Sequence, residues 1–442
     1  MKTAAIIAEY NPFHNGHKYQ INLIRETTDA DHIIIIMSGS FVQRGAPALL
    51  DKYARAKTAL ISGADAVFEL PVRYSTACAR DFALGAVSML NSFGCVDYLC
   101  FGCEDPWLFE IDELVSGEIF SGDEFRQALK SGLKSGESFA TARANAILSS
   151  LKSSPDADTL ALALKSPNNI LALEYILSLA KLKSNIKAVP IRRVGDSFGS
   201  LTVSSEYPSA TALRSLLLSP HPEIVFERGY MPSECVPIFK AYMKESCLSD
   251  TDSFSALLSY AILQNVNSLE LFLDGSTELA NRLEKIFHPG LSWDETASAL
   301  KTKNYTLTRV NRYLTHILLG IKKDSLSADC AMTQTVSDSL SDCPALEKTA
   351  DICLSENNTP QTPPATYAHL LGMRRESSKL IARIKEHSRI PVFSSPKEIK
   401  NTMDGCARMM LKSDLRATDI YHIAQGKRAI YRTDYEVSGV FI

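Results

Sequence analysis

The chain predicts a doubly wound parallel α/β sheet followed by a mostly helical C-terminal region. Three observations lead there. Over the first 220 residues, short β-branched apolar runs alternate with helical stretches. Those runs are continuous, not polar–apolar alternating, as in parallel strands covered on both faces. Beyond about Pro220 the strand-like runs give way to helical patterns. Strand, helix and strand repeated this way imply right-handed crossovers and helices on both sides of one sheet.

In order, the strand candidates are Thr3–Ala8, His32–Met37, Ala66–Glu69, Val96–Phe101 and Lys187–Arg193. Helical patterns cover His17–Glu26, Lys52–Ser62 and Tyr74–Asn91 between them. Residues 105–185 form a helical insertion between the fourth and fifth strands. With it, residues 1–220 make the first domain. Residues 221–324 make a helical domain, because Ser253–Lys323 shows apolar helical faces and no convincing strand. Residues 325–364 are rich in Ser, Asp, Thr and Asn and close on Pro-Gln-Thr-Pro-Pro, the composition of a polar linker or mobile loop. Residues 365–442 form a basic C-terminal segment, helical around Gly372–Arg389 and ending in short elements. There is no internal repeat.

Composition narrows the class of protein. A chain of 442 residues that is 45% hydrophobic can fill two or three cores. The run His32–Met37 falls far short of the roughly 18 apolar residues of a membrane span, and the start lacks a secretory cleavage pattern. Ten cysteines without framework spacing suggest reduced thiols and a cytoplasmic location. Cys100-Phe-Gly-Cys103 has the spacing of half a metal or redox site but no second pair to complete it. The net charge of −3 means that any nucleic-acid surface must be local.

The most informative segment joins the first strand to the first helix: Ile7-Ala8-Glu9-Tyr10-Asn11-Pro12-Phe13-His14-Asn15-Gly16-His17-Lys18-Tyr19-Gln20. A helix N-terminus offers unpaired N–H groups and partial positive charge to a phosphate. His14 and His17, three apart, can face one side of that helix and donate N–H groups to phosphate oxygens. Gly16 allows close backbone approach. The bland alternative is two histidines on a solvated helix start. Ser209-Ala-Thr211-Ala-Leu-Arg214, taken alone, is as readily an ordinary helix start with Ser209 as N-cap as it is a binding segment. Ser38-Gly-Ser-Phe-Val-Gln-Arg-Gly45 follows the second strand, so it shares the carboxyl edge with His14, and Arg44 could meet a phosphate. Lys52 and Arg55 face either substrate or solvent. Of Arg192 and Arg193, neighbours at a strand end, only one should point towards a nucleotide. Glu104 follows a strand end and is a candidate metal ligand, but as a loop residue it suits a structural role equally. His316, in the apolar run Tyr313–Leu319, suits a packed core position.

His14-Asn-Gly-His17 together with the Ser209–Arg214 segment resembles the HxGH nucleotidyltransferase superfamily, which attacks the α-phosphate of a nucleotide and releases pyrophosphate. Glu9–His17, Ser38–Gly45, Gly63-Ala-Asp-Ala-Val-Phe-Glu-Leu-Pro71, Phe101-Gly-Cys-Glu104 and Ser166-Pro-Asn-Asn-Ile170 follow in order. They are similar to the bacterial tRNA(Met) cytidine acetate ligases (TmcAL), and the similarity continues to Asp414-Leu-Arg-Ala-Thr-Asp419. The resemblance implies a ligase that makes acetyl-adenylate from ATP and acetate. It then acetylates N4 of the wobble cytidine of elongator tRNA(Met), giving N4-acetylcytidine. It implies an HxGH Rossmann-like fold for residues 1–220, His14 and His17 as catalytic groups, and an ATP site of Ile7 to Gln20, Gly102, Asn168, Arg192 and Arg193, joined by Ser209, Thr211 and Arg214. Mg2+ is expected with the ATP. Cys103 stands where that family usually has serine.

For RNA, two basic concentrations stand out: Lys301, Lys303, Arg309, Arg312, Lys322 and Lys323, then Arg374, Arg375, Lys379, Arg383, Lys385 and Arg389. Arg375, Lys379 and Arg383 recur every fourth residue and are the expected tRNA contact; a solvated helix face is the plain alternative. Two other functions remain in view. A small-molecule adenylyltransferase would use the same histidines but has little need of a large helical half. A non-enzymatic RNA-binding protein would have no use for His14 and His17.

Overall fold

The computed structural model describes residues 1–442 apart from 138, 152–156, 197–198, 202, 324–364, 400–402, 404, 427–433, 435–436 and 438. The polar stretch 325–364 therefore lies outside the described residues.

Five parallel strands form the heart of the molecule: β1 (Thr3–Ala8), β2 (His32–Ser38), β5 (Ala66–Leu70), β6 (Tyr98–Cys103) and β7 (Lys187–Arg192). Their order is β5-β2-β1-β6-β7, with the chain crossing over between the two halves at β1. Ile33 to Met37 are wholly buried because both faces of β2 are covered. Ile34 and Ile36 enter one core with Phe68, Phe82, Phe93 and Tyr175, while Ile33 and Ile35 enter the other with Ile21, Ile24, Leu60 and Phe239. The continuous apolar run is thus two cores back to back, sharing a strand. The same alternation separates the two cysteines: Cys100 faces one core and Cys103 the other, so they cannot meet at one metal or in one disulfide. Burial pushes both thiols up to about 12.

α1 (Asn15–Thr28) follows β1, and α2 (Lys52–Ile61) follows a small ribbon of β3 (Phe41–Val42) and β4 (Ala46–Pro47). The Tyr74–Asn91 pattern resolves into a short Val72–Ser75 turn of helix and a second helix, Ala79–Phe93. The insertion is helical, with helices at Asp123–Lys134, Phe139–Ser150 and Pro167–Lys181 among others. It has its own core around Phe125, Leu129, Ile147 and Leu160.

Val225, Phe239 and Tyr242 pack onto the sheet, while the helices from Ser255 onward pack around Trp293, with Leu258, Leu283, Tyr313 and Ile317. That core also takes in Phe41 from the β3–β4 ribbon and Val72, which seats it on the carboxyl edge of β2 and β5. His316 is fully buried there, its Nδ1 2.9 Å from Leu273 O and its Nε2 3.1 Å from Thr76 Oγ1.

Residues beyond 364 do not stay apart from the parallel sheet. β8 (Ala368–Met373) adds to β5 in antiparallel register, Glu69 opposite His369, and is joined by β9 (Val392–Phe393) and β10 (Val440–Phe441). The segment expected to be helical from Gly372 therefore begins as the end of a strand; its helix runs Ser378–His387. A twenty-residue helix, Gly405–Ala424, then returns to the core, longer than the short elements expected there. Lys52 fastens these pieces. Its buried Nζ lies 2.8 Å from Glu69 Oε2, 2.6 Å from Asp434 Oδ2 and 3.1 Å from Thr418 Oγ1. Glu69 also pairs with His369 at 2.8 Å.

Candidate active site

The loop from β1 to α1 sets the geometry. His14 is the N-cap of α1: the Gly16 N–H donates to His14 Nδ1 at 3.1 Å, and the His14 N–H donates to His17 Nδ1 at 3.3 Å. This is a capping box built from two imidazoles in place of a hydroxyl and a carboxylate. Because both Nδ1 atoms accept, a neutral ring must carry its proton on Nε2. The rings stack with centroids 3.7 Å apart, and Tyr10 and Phe13 pack against His17. Burial lowers His14 to about 3, helped by the nearby charges of Arg193 and Arg214. Burial, then His14 and Arg193, hold His17 well below the usual histidine range. Near neutral pH the pair therefore presents two fixed Nε2–H donors.

Three guanidiniums converge on those donors. Arg214 reaches back from its helix, donating to Asn11 O at 2.6 Å and to Thr211 Oγ1 at 3.2 Å. Arg44, from the β3–β4 turn, donates to the same Thr211 Oγ1 at 3.4 Å. With two donors on its oxygen, Thr211 keeps its own hydroxyl proton to give. Arg193 lies over Gly102, where a Cβ would sit 3.1 Å from the arginine Cγ. Its charge is felt at both histidines, whereas Arg192, the neighbouring residue at the strand end, takes no part in either shift. Ser209 spends its hydroxyl as the N-cap of Ala210–Leu217, accepting from the Ala212 N–H at 3.0 Å and donating to Ser200 O at 2.6 Å.

Arg55 is the residue whose role the sequence leaves open, and it faces neither substrate nor solvent. It is 1% exposed. Its guanidinium donates to Leu50 O at 3.0 Å, Glu9 O at 2.6 Å, Ser38 O at 3.0 Å and also Gly39 O. One cation thereby ties together the loops that leave β1 and β2. Four-residue spacing from Asp51, the N-cap of α2, is its only mark in the sequence.

Other expected residues fall into place around this centre. Glu104 accepts from Asn168 Nδ2 at 2.6 Å and the Asn169 N–H at 3.1 Å, so its carboxylate caps the Pro167–Lys181 helix. Asn169 returns the contact, its Oδ1 accepting from the Glu104 and Asp105 N–H groups. Among the described residues, the carboxylates and imidazole close enough to share an ion are Glu69, His369 and Asp434, and the Lys52 ammonium already sits among them. Lys18 is drawn aside to Glu234 at 2.5 Å. An open groove of about 800 Å3 lies beside the start of α1, lined by Asn15, Lys18, Tyr19, Tyr207, Arg228 and Tyr230 among others.

Arg375, Lys379 and Arg383 are not brought to this site. Arg374 N donates to Asp65 O, just before β5 begins, and Arg383 donates to Met1 O at 2.6 Å. Both anchors mark the amino edge of the sheet. β8 runs opposite to β5 and carries the chain away from the catalytic edge, by about 20 Å for six residues at ~3.3 Å each.

The family model described as HIGH Nucleotidyl Transferase matches residues 1–337 and 350–435. A tRNA(Met) cytidine acetate ligase of Clostridium kluyveri is 36% identical over 100% of this chain and 99% of its own length. One from Clostridium perfringens is 34% identical, with the same two coverages of 100% and 99%. The crystal structure of Thermotoga maritima TmcAL without ligand superposes with a TM-score of 0.84 at 27% identity, covering 100% of both chains. The same protein bound with alpha-thio ATP gives 0.82 at 26% identity, covering 100% of this chain and 99% of the other.

Proposed function

Because the chain belongs to the tRNA(Met) cytidine acetate ligase family of HIGH nucleotidyltransferases, we propose that its site activates acetate with ATP and passes the acetyl group to N4 of the wobble cytidine of elongator tRNA(Met). The observation that carries this reading is the set of two neutral imidazoles and three guanidiniums on one opening, where the cations outnumber the nearby Glu9 and Glu104 carboxylates. Such a set suits a polyphosphate and the charge that builds on it during attack at the α-phosphorus.

In the first step an acetate oxygen bonds to the α-phosphorus and the bond to the bridging oxygen breaks, releasing pyrophosphate. His14 and His17 donate Nε2–H to that region, and Thr211, Arg214 and Arg44 receive the leaving pyrophosphate. Gly102 and Arg193 flank the nucleoside side, with Asn168 behind them. In the second step the cytidine N4 bonds to the acetyl carbon, the bond to AMP breaks, and N4 loses a proton. The ring-delocalised N4 is a poor nucleophile, which is why an activated acyl donor is needed. Among the described residues no carboxylate cage for a metal adjoins the histidines, so Mg2+ would come with ATP, held by phosphate oxygens and water. Acting on tRNA, the protein would work in the cytoplasm.

The test is acetate-dependent exchange of labelled pyrophosphate into ATP without tRNA. His14→Ala and His17→Ala should each lower it by about 10²–10³-fold, the usual effect of losing one preorganised donor. Exchange that ignores acetate would overturn acetate as the substrate and favour a small-molecule adenylyltransferase. Chelation with EDTA should stop exchange, and magnesium should restore it.

A further inference from the structure

The helix Gly405–Ala424 carries a basic stripe that the site does not use. Its buried face is Ala407, Met410, Leu411, Asp414, Ala417, Thr418 and Tyr421. Up to position 422, its exposed residues are Gly405, Arg408, Lys412 and Arg416. The last three recur every fourth residue, so they line one side of the helix. The stripe runs on into a second basic group. Arg416 lies against Gly320, the C-cap of the Leu307–Leu319 helix, and Lys322 and Lys323 follow directly, both exposed. Arg73 joins them by donating to Lys322 O at 2.8 Å and Lys323 O at 2.9 Å.

This surface stands on the catalytic edge. Arg73 follows the carboxyl end of β5, next to Val72, whose N–H donates to Asp414 Oδ1 at 2.7 Å. Val72 shares a core with Phe41 of the ribbon whose next residues include Arg44. The stripe is also held firmly, since Thr418 and Asp414 of the same helix are bound by Lys52 and by Tyr367. Cations brought together from three distant segments onto the same sheet edge as the acyl-transfer site match a polyanion too large to enter it.

We infer that Arg408, Lys412 and Arg416, with Lys322, Lys323 and Arg73, form the track on which the phosphate backbone of the acceptor RNA lies. The inference rests on the RNA acceptor proposed above. It moves the RNA-binding surface away from the Arg375–Arg383 stripe on the opposite edge. Phosphate contacts of this kind are salt-dependent and indifferent to sequence; they orient the RNA while the site selects the base.

The experiment measures tRNA(Met) binding over a range of salt for the wild type, for Lys412→Glu, and for Arg408→Glu/Lys412→Glu/Arg416→Glu, alongside tRNA-free exchange and thermal melting. The triple variant should bind at least about tenfold more weakly. Its slope of log affinity against log salt should drop by roughly 0.7–0.9 for each phosphate no longer neutralised. Lys412→Glu, at a single exposed position, should show a smaller effect of the same kind, and exchange should stay intact. Unchanged affinity and slope in a folded, exchanging triple variant would overturn the track. So would abolition of binding on reversing Arg375, Lys379 and Arg383 instead. Wild-type protein that exchanges acetate yet binds no tRNA would overturn the RNA acceptor itself, and the track with it.

Discussion

His14 uses both nitrogens of one ring: Nδ1 caps α1, and Nε2 is left for a ligand. The two uses separate by substitution. His14→Asn keeps an N-cap acceptor, so it should change stability by less than about 1 kcal/mol, while exchange falls by about 10²-fold or more; chemical denaturation beside the exchange assay checks both. Acidity follows from the same burial. A histidine lowered from 6.5 to about 3 on folding takes up a proton when the chain unfolds. Its contribution is therefore intact above about 6.5 and is lost as pH falls from there towards 3. The urea midpoint of the wild type should drop between about pH 7 and about pH 5, and less so in His14→Asn/His17→Asn. The motif HxGH is legible in the sequence because it sits within four residues. The tautomer is not, because it depends on which backbone N–H groups each ring accepts from.

At the scale of elements, the five parallel strands are legible because each is a compact apolar run whose burial on both faces is written locally. Boundaries near β6 shift from Val96–Phe101 to Tyr98–Cys103, since the edge of a run is set by its partners. β8 is hidden for the same reason. Ala-His-Leu-Leu-Gly-Met is short, and what makes it a strand is β5, far away in the chain. Arg55 is also unreadable, because its partners are carbonyls of two other loops. Arg55→Lys has one head group with which to replace this fork. It should cost about 2–4 kcal/mol through carbonyls left unsatisfied, and the surviving folded protein should show a raised KM for ATP. Gly39→Ala should disturb the same corner, since a Cβ there would strike the Glu69 carboxylate.

At the scale of the molecule, Lys52 is where catalytic sheet, helical return and chain end are fastened together. Burial alone would lower its pKa, but Asp434 and Glu69 raise it well above the usual lysine range. Lys52→Met would strand those two carboxylates in the interior and should cost about 3–5 kcal/mol, measured as a lower denaturant midpoint. In the sequence the late segment reads as lying outside the sheet, because nothing local marks a clamp made from residues in three regions. That clamp also has a timetable. Glu69 and His369 are 300 residues apart, so β5 has an open edge until the ribosome has made those intervening residues. At about 5–20 residues per second, those 300 residues leave the nascent chain about 15–60 s with that edge of its sheet unfinished, and Lys52 waits longer still for Asp434, 382 residues on. The histidine loop emerges first, yet the sheet that supports it is completed only after His369 and its neighbours have been made.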